Sequence, residues 1–323
     1  MTAVSHPQRG AAARVALGVL RAVGGVLIVV WGAATAGFIA IKAIPGDPVD
    51  VMLGVQAQVS ESVRDQIRAD WGLNDPPFDQ YLQYLGRLVS GNLGESYQLR
   101  QPVVEVLYSG LGPTLALAGA AILLAVLAAF VGALIVRGRA AKAVASIAEL
   151  IVVSSPTFWI GLVLIAVFAF QLGWFPVTAT QGLPGLVLPA VTLALPLAGI
   201  ISQVLRQGTD AALAQPFALT ARSRGIGHTR LVLRHTLRHA AADTITLTGY
   251  LLGSVLGGVV LVETVFGRNG LGRVTLRAIT DRDLPVVLGI IVFTAAVFAI
   301  INALVDLSYR AIDPRLSGRG TAS

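Results

Sequence analysis

Cysteine is absent from the 323 residues, which excludes disulfides, cysteine-rich zinc sites, iron–sulfur ligation and thiol nucleophiles. Lysine is almost absent too, occurring only as Lys42 and Lys142. A phosphate-binding P-loop needs G-x-x-x-x-G-K-[ST], because glycine amides cradle the phosphates and the lysine reaches the β/γ oxygens. Lys42 stands between Ile41 and Ala43, and Lys142 between Ala141 and Ala143, so neither has that setting. Charge of either sign is scarce: 13% of residues are charged and 55% hydrophobic, against about 25% charged in an average soluble domain. Such a chain cannot be wrapped in a charged surface, and its hydrophobicity excludes disorder. Its solvent is lipid. The formal charge of +7 resides in short arginine-bearing loops between apolar runs. That placement speaks against a nucleic-acid partner, which needs a basic face on a soluble module.

What is present is a series of stretches free of Asp, Glu, Lys and Arg: residues 22–41, 106–136, 150–205, 244–262 and 284–305. A spanning helix needs about 20 mostly apolar residues. The 150–205 stretch is long enough for two and is interrupted by Gly173, Trp174, Phe175, Pro176 and Pro184, an interfacial aromatic and turn cluster. Six spans are predicted. The apolar run after Arg9, Arg14 and Arg21 continues through Phe38, Ile39 and Ile41, so it reads as a first span and not as a cleaved signal. With both termini inside, 15 of the 24 basic residues and 5 of the 17 acids lie inside, a net +10 against −3 outside. Arginine and lysine favour the cytoplasmic side, so the topology is N-in, C-in.

The predicted organisation is an all-α membrane protein. A cytoplasmic N-terminal segment (1–21) precedes the first span (22–42), an external segment (43–105), a five-span core (106–310) and a cytoplasmic tail (311–323). The external segment is too long for a simple connection. Ser62 with Asp65 suggests a capping box, and Tyr81, Leu82, Leu85, Leu88 and Val89 recur at helical spacing before Gly91, which predicts two or three short helices. They would form a solubilising cap or a platform for an external partner. In the core, the loop 207–242 interleaves basic positions with Leu219, Ile226, Leu231, Leu233 and Leu237, a pattern for short helices along the membrane face.

Catalytic and metal sites are not expected. His228, His235 and His239 would share a face of one continuous helix, but Gly225 and Gly227 break the element, and a basic partner-facing surface is the expected use. Ion-coupled transporters keep ionisable groups inside their spans; here only Gln171, Gln203 and Asn302 are polar candidates, expected to bond helix to helix. Gly249, Gly253 and Gly257 repeat every fourth residue in the fifth span and predict a close helix-packing face, with Gly289 outside it as a neutral position.

Several ordered blocks carry a resemblance. They are Pro45-Gly46-Asp47-Pro48, Trp71-Gly72-Leu73-Asn74, Gly91-Asn92-Leu93-Gly94, Ser154-Ser155-Pro156-Thr157-Phe158-Trp159, Glu263-Thr264-Val265-Phe266, Gly270-Leu271-Gly272 and Asp313-Pro314-Arg315. Over nearly its whole length the chain resembles the peptide/nickel branch of ABC-importer permeases, the family of dipeptide and oligopeptide permease B subunits. Leu219-Thr220-Ala221-Arg222-Ser223-Arg224-Gly225 is similar to that branch's ATPase-coupling signature, of which the general E-A-A-x-x-x-G form is met strictly only at Ala221 and Gly225. A short amphipathic helix seated in a partner's groove suits that role. Gly225 would permit a sharp exit or a close backbone approach. His239 and Asp243 stand where the branch more often has Asn and Pro.

The resemblance implies a non-catalytic permease subunit without a cofactor of its own. Its implied partners are a homologous second permease, cytoplasmic ATPase subunits or a fused double ATPase, and an extracytoplasmic solute-binding protein. The inner helices of the two permeases, with Gly249, Gly253 and Gly257 at a moving interface, would line the path. The implied cargo is a di- or oligopeptide, with nickel chelates, glutathione or oligosaccharides as alternatives, and the implied location is the bacterial inner membrane. An ion-coupled secondary transporter is the alternative from another class.

Overall fold

The computed structural model describes residues 8–43, 49, 60–70, 72–178, 182–236, 247, 251, 255 and 257–312. Among them the only strand-like pairing is an isolated bridge between Glu95 and Pro102, and the rest of the regular structure is helical. The chain divides into two compact units, residues 1–109 with 274–323, and residues 110–273.

The first unit is built on two long apolar helices, α1 (Gln8–Ala43) and α12 (Leu284–Ile312), which pack along one another. At Gly37 an added Cβ would stand 2.9 Å from Leu288 Cδ2. The external segment folds as α2 (Glu61–Asp70) and α3 (Pro77–Val89). α3 lies against the end of α1. The Tyr81 and Thr35 hydroxyls share a hydrogen bond of 2.7 Å, Phe38 meets the Tyr81 and Tyr84 rings at 5.4 and 5.8 Å, and Lys42 donates to Gln80 Oε1 at 2.5 Å. The predicted capping box is displaced. Helix α2 begins at Glu61, with the Ser60 carbonyl accepting from Val63 and Arg64, and Asp65 is engaged by Arg68 Nη1 at 2.7 Å.

The tight turn at 95–102 is held by Asp283, which is 2% exposed and accepts from the Ser96 hydroxyl and the amides of Tyr97 (3.2 Å) and Gln98 (3.4 Å). Burial, with the Asp283 carboxylate adding to it, pushes the Tyr97 phenol up to about 12. Tyr97 therefore stays neutral throughout the physiological range.

The second unit contains the inner part of α4 (Val103–Ile135), α5 (Gly138–Ser154), α6 (Thr157–Leu164) continued by a π-helical turn (Ile165–Gln171), and α7 (Pro184–Leu213). It then contains α8 (Pro216–Ser223), α9 (His228–Leu231) continued by a second π-helical turn (Val232–Thr236), α10 (257–265) and the start of α11 (Leu271–Thr280). On α4, Leu117, Ala121, Ala125 and Ala129 recur every fourth residue, all fully buried. They join Leu193, Leu197, Ile201 and Leu205 of α7 and Val259, Val262 and Phe266 in one core. Small side chains on one stripe let helix axes approach, which in lipid replaces the hydrophobic drive with dispersion contact. α5 and α6 meet at 106° at Ser155–Pro156. Pro156 has no N–H to continue the helical ladder and its ring excludes helical backbone before it, so Ser155 is extended (ψ 137°) and a new helix starts.

Among the described residues, four helices are long and apolar enough to cross a membrane, at Gly18–Ala43, Val103–Ile135, Pro184–Leu213 and Leu284–Val305, and the bent α5–α6 pair makes a fifth candidate. Most of the expected fifth span, 244–262, lies outside the described residues, as do Pro45-Gly46-Asp47-Pro48, Trp71, Gly249, Gly253 and Asp313-Pro314-Arg315. Two expectations fail. Asn302 Nδ2 donates to Phe298 O of its own helix at 2.8 Å instead of bonding across. Gly289 is no neutral position, since an added Cβ would lie 2.4 Å from Val103 Cγ1, with Leu107 and Leu93 close behind.

Gly289→Leu should therefore overpack the first unit and cost about 1–3 kcal/mol. Gly112→Leu, at a position with nothing within 4 Å of an added Cβ, is the comparison. The measurement is thermal unfolding of each purified chain in one detergent, and identical transitions would contradict the packing described.

Candidate functional site

Three features of the second unit bear on function. The first is α8, which carries the Leu219-to-Gly225 segment. Pro216 occupies its first turn, where a missing N–H costs nothing, after an extended Gln215. Its far end closes by a Schellman pair: Ile226 N–H donates to Ala221 O (3.1 Å) and Gly225 N–H to Arg222 O (2.9 Å), with Gly225 at φ +77°. Of the two uses predicted for Gly225, the backbone takes the sharp exit, since nothing lies within 4 Å of an added Cβ. Ala218 is fully buried, while Leu219 is 72% exposed and Thr220, Arg222, Ser223 and Arg224 are exposed. Ala221 is half-buried. The helix is thus seated on the unit through Ala218 and turns Leu219, Thr220 and Ser223 outward.

The second feature is a ladder of ion pairs between α5 and α7. Arg206 grips Glu149 with two parallel hydrogen bonds of 2.6 and 2.7 Å and also donates to Ser146 Oγ at 3.0 Å. Lys142 Nζ donates to both oxygens of Asp210 at 2.6 and 2.8 Å. Beside them an added Cβ on Gly199 would meet Val153 Cγ2 at 2.7 Å, so the two helices touch closely. Glu149 and Arg206 are the residues immediately before and after the charge-free stretch 150–205. Their contact means that the stretch leaves and returns to the same level, as two crossings require. Arg137 reaches the same end, where its Nη2 donates to Thr229 Oγ1 at 2.7 Å.

The third feature explains the Glu263 and Gly270-Leu271-Gly272 blocks. Glu263 is fully buried. Its Oε1 accepts from the Thr114 hydroxyl at 2.6 Å and its Oε2 from Gly272 N–H at 2.7 Å, while Thr114 Oγ accepts from Leu271 N–H at 2.8 Å. The two partners thereby satisfy the first free amides of α11, which also presents the positive end of its dipole to the carboxylate. The glycines leave room for this: an added Cβ at Gly270 would lie 2.0 Å from Glu263 Oε1, and one at Gly272 would lie 2.5 Å from Val260 Cα. Gly110 likewise sits against the Leu271 backbone, its added Cβ 2.8 Å from Leu271 N.

Of the predicted packing glycines only Gly257 is described. It is exposed, with no described atom within 4 Å of an added Cβ, whereas an added Cβ on its neighbour Gly258 would meet Leu193 Cδ2 at 3.2 Å.

Residues 121–318 match the family described as "Binding-protein-dependent transport system inner membrane component". The chain belongs to that family. It is 33% identical over 293 residues to a Brucella suis protein named as a candidate peptide permease. It is 34% identical over 284 residues to the glutathione transport system permease protein GsiC of Escherichia coli. Each alignment covers 86% of this chain and 92% of the relative. A solved structure titled "Crystal structure of an amino acid ABC transporter with histidines" superposes with a TM-score of 0.52 at 22% identity, over 64% of this chain and 94% of that one, and supports the fold alone. The chain is an ABC-importer permease.

Sequence reasoning did not find the α5–α7 ladder or the Thr114–Glu263 pair. The ladder had a signal: Lys142 and Glu149 are seven apart and Arg206 and Asp210 four apart, so opposite charges repeat on one face of each helix. Thr114 had none, since only the fold brings it to Glu263.

Removing the Thr114 hydroxyl should leave the buried Glu263 Oε1 without its partner and take from the part-buried Leu271 N–H its 2.8 Å hydrogen bond, at a cost of about 1–3 kcal/mol. Thr114→Val should speed hydrogen exchange at the Leu271 and Gly272 amides and lower the unfolding temperature, and Thr114→Ser should restore both. Equal exchange in the two variants would show that the hydroxyl does not cap α11.

Proposed function

We propose that this permease supplies half of a translocation pathway, with a homologous second permease supplying the other half. Six spans in the N-in, C-in arrangement form each half, and the external segment 43–105 sits outside a bacterial inner membrane. ATP is hydrolysed on cytoplasmic subunits, separate or fused, and this chain contributes no cofactor and no catalytic group. An extracytoplasmic binding protein delivers the cargo, which is a di- or oligopeptide. Both the relative named for peptide and the one named for glutathione, itself a short peptide, support that cargo class. Gly249, Gly253 and Gly257 face the second permease; the open space at Gly257 supports this for the one glycine described.

The observation that carries the reading is the two-sided α8. Its inward side is anchored at Ala218, and its outward side presents Leu219, Thr220 and Ser223 to solvent with nothing of the described chain over Leu219. An exposed leucine on a short, capped helix beside exposed arginines suits a groove on an ATPase subunit. Leu219→Arg leaves the buried side alone and should reduce solute-stimulated hydrolysis and uptake in vesicles by about tenfold, equivalent to roughly 1.4 kcal/mol of seating free energy. Gly225→Trp, forced to φ +77°, should do the same by distorting the exit. Ser90→Ala, in the external segment, is the control. Rates are normalised to assembled complex, and full coupling by both variants would remove α8 from the ATPase interface.

Topology is tested separately, helped by the natural absence of cysteine. Ser96 is too buried to label, so Leu99→Cys, at a 44% exposed position, reports the outside and Ser223→Cys the inside. Leu99→Cys should react with an impermeant maleimide in intact cells, and Ser223→Cys only after the membrane is opened. Labelling of Ser223→Cys from outside would reverse the orientation.

A further inference from the structure

We propose that the cavity between α5, α7 and α8 is a binding site for a phosphate group, supplied by the headgroup of an anionic phospholipid. The cavity has a volume of about 410 Å³. Four cationic side chains line it, Arg137, Lys142, Arg206 and Arg222, with two carboxylates, Glu149 and Asp210. Both carboxylates are already spent, Glu149 on Arg206 and Asp210 on Lys142. Among the described residues Arg137 donates only to neutral acceptors, Leu134 O at 3.0 Å and Thr229 Oγ1. Arg222 has no acidic partner among the described residues. Four positive charges against two negative leave an excess of two.

The placement of those two charges favours an anion within the cavity over one in bulk solvent. Arg222 follows the buried Ala218 by one helical turn, so its side chain emerges on the face of α8 turned toward the unit and reaches the cavity wall. A planar guanidinium matches a phosphate bidentately. Thr209, 6% exposed, also lines the cavity, and its hydroxyl has no hydrogen-bond partner among the described residues. A small shift on binding would let it donate to a phosphate oxygen. Ala133, Val136 and Leu213 supply an apolar wall on which a glyceryl or acyl segment can rest.

The cavity's depth identifies the source. Glu149 and Arg206 bound the charge-free hairpin 150–205 and also line the cavity, which sets it where hydrocarbon gives way to water. Lipid phosphates lie at that level, and basic pockets between spans on the cytoplasmic side take anionic headgroups. Because Arg222 belongs to α8, the headgroup would fasten the proposed coupling segment to the ends of α5 and α7. The site rests on the two-crossing reading of 150–205 and on the inside placement of this end, which the labelling experiment tests, but not on the ATPase role of α8, which the hydrolysis experiment tests independently.

The test uses the full chain, purified in a neutral detergent. Phosphatidylglycerol, phosphatidylcholine and inorganic phosphate are titrated separately, and unfolding temperature and lipid retained in native mass spectrometry are recorded. Phosphatidylglycerol should raise the unfolding temperature and remain bound, and phosphatidylcholine should do neither. The double variant Arg137→Gln, Arg222→Gln should lose the retained lipid and its protection while keeping the lipid-free unfolding temperature within a few degrees. Arg100→Gln, in the external segment, should behave as the parent. Protection by inorganic phosphate equal to that by phosphatidylglycerol, lost in the double variant, would support the anion site and overturn the lipid source. Equal retention of the two lipids, or undiminished phosphatidylglycerol retention in the double variant, would overturn the site. Should the double variant fail to fold, Arg222→Lys decides: it keeps the charge and loses the fork, and retention at parental strength would remove the bidentate contact.

Discussion

A carboxylate with no water around it must have its oxygens satisfied by the protein, and Glu263 imposes that constraint on the second unit. Fully buried on α10, it has one oxygen met by the Thr114 hydroxyl on α4 and the other by the Gly272 amide at the start of α11. Each partner's position is then fixed. α4 must bring Thr114 within hydrogen-bond reach, the turn after α10 must double back, and residues 270 and 272 cannot carry a Cβ. Removing one partner would cost more than the pair contributes, because the remaining group would stay buried and unmet. The arrangement therefore specifies geometry more than it adds stability.

The same reasoning applies to the opposite charge pattern around the 150–205 hairpin. An apolar stretch of that length has no internal register, because its side chains slide against lipid or one another at little cost. The bidentate Glu149–Arg206 contact supplies register at the two ends, and the Gly199 approach holds the helices close enough for it to form. Lys142 and Asp210 repeat the contact farther from the hydrocarbon at 39% and 45% side-chain exposure, where water screens it. The inner pair, at 18% and 13%, is the one able to resist sliding.

What was legible in the sequence followed from rules that act locally. Charge-free length found the long helices, and helical spacing found α3. The glycines after α2, α3 and α8 mark ends that close by the same Schellman pattern, at Gly72, Gly91 and Gly225. Local rules failed where the deciding partner was distant. Ser62 and Asp65 look like a capping box, yet Arg68 claims Asp65 and the helix starts two residues earlier, at Glu61 after Ser60. Gly289 stands alone in the sequence, but the Val103 end of α4 passes directly over it. The Ser154–Trp159 block is recognisable as a motif, but its meaning, a 106° bend between two helices, needs the backbone. Glu263 was visible as a residue and invisible as a cap, because Thr114 lies 149 positions away.

An eight-residue helix such as α8 is too short to hold its shape alone, since nucleation costs more than so few hydrogen bonds return. Its form is imposed by Pro216 at one end, the Gly225 closure at the other and the seat of Ala218 between them. Only Ala214 and Gln215 separate it from the end of α7, and the Ala214 amide still bonds back to Asp210 O. A force applied to its outward face has little slack to take up before it reaches α7, and α7 carries Asp210 and Arg206 toward their partners on α5. In the proposed importer, a push from an ATPase at Leu219 would therefore be felt first as a load on the polar ladder. That places the most strongly paired charges of the second unit where a rigid linkage between α5 and α7 is most needed.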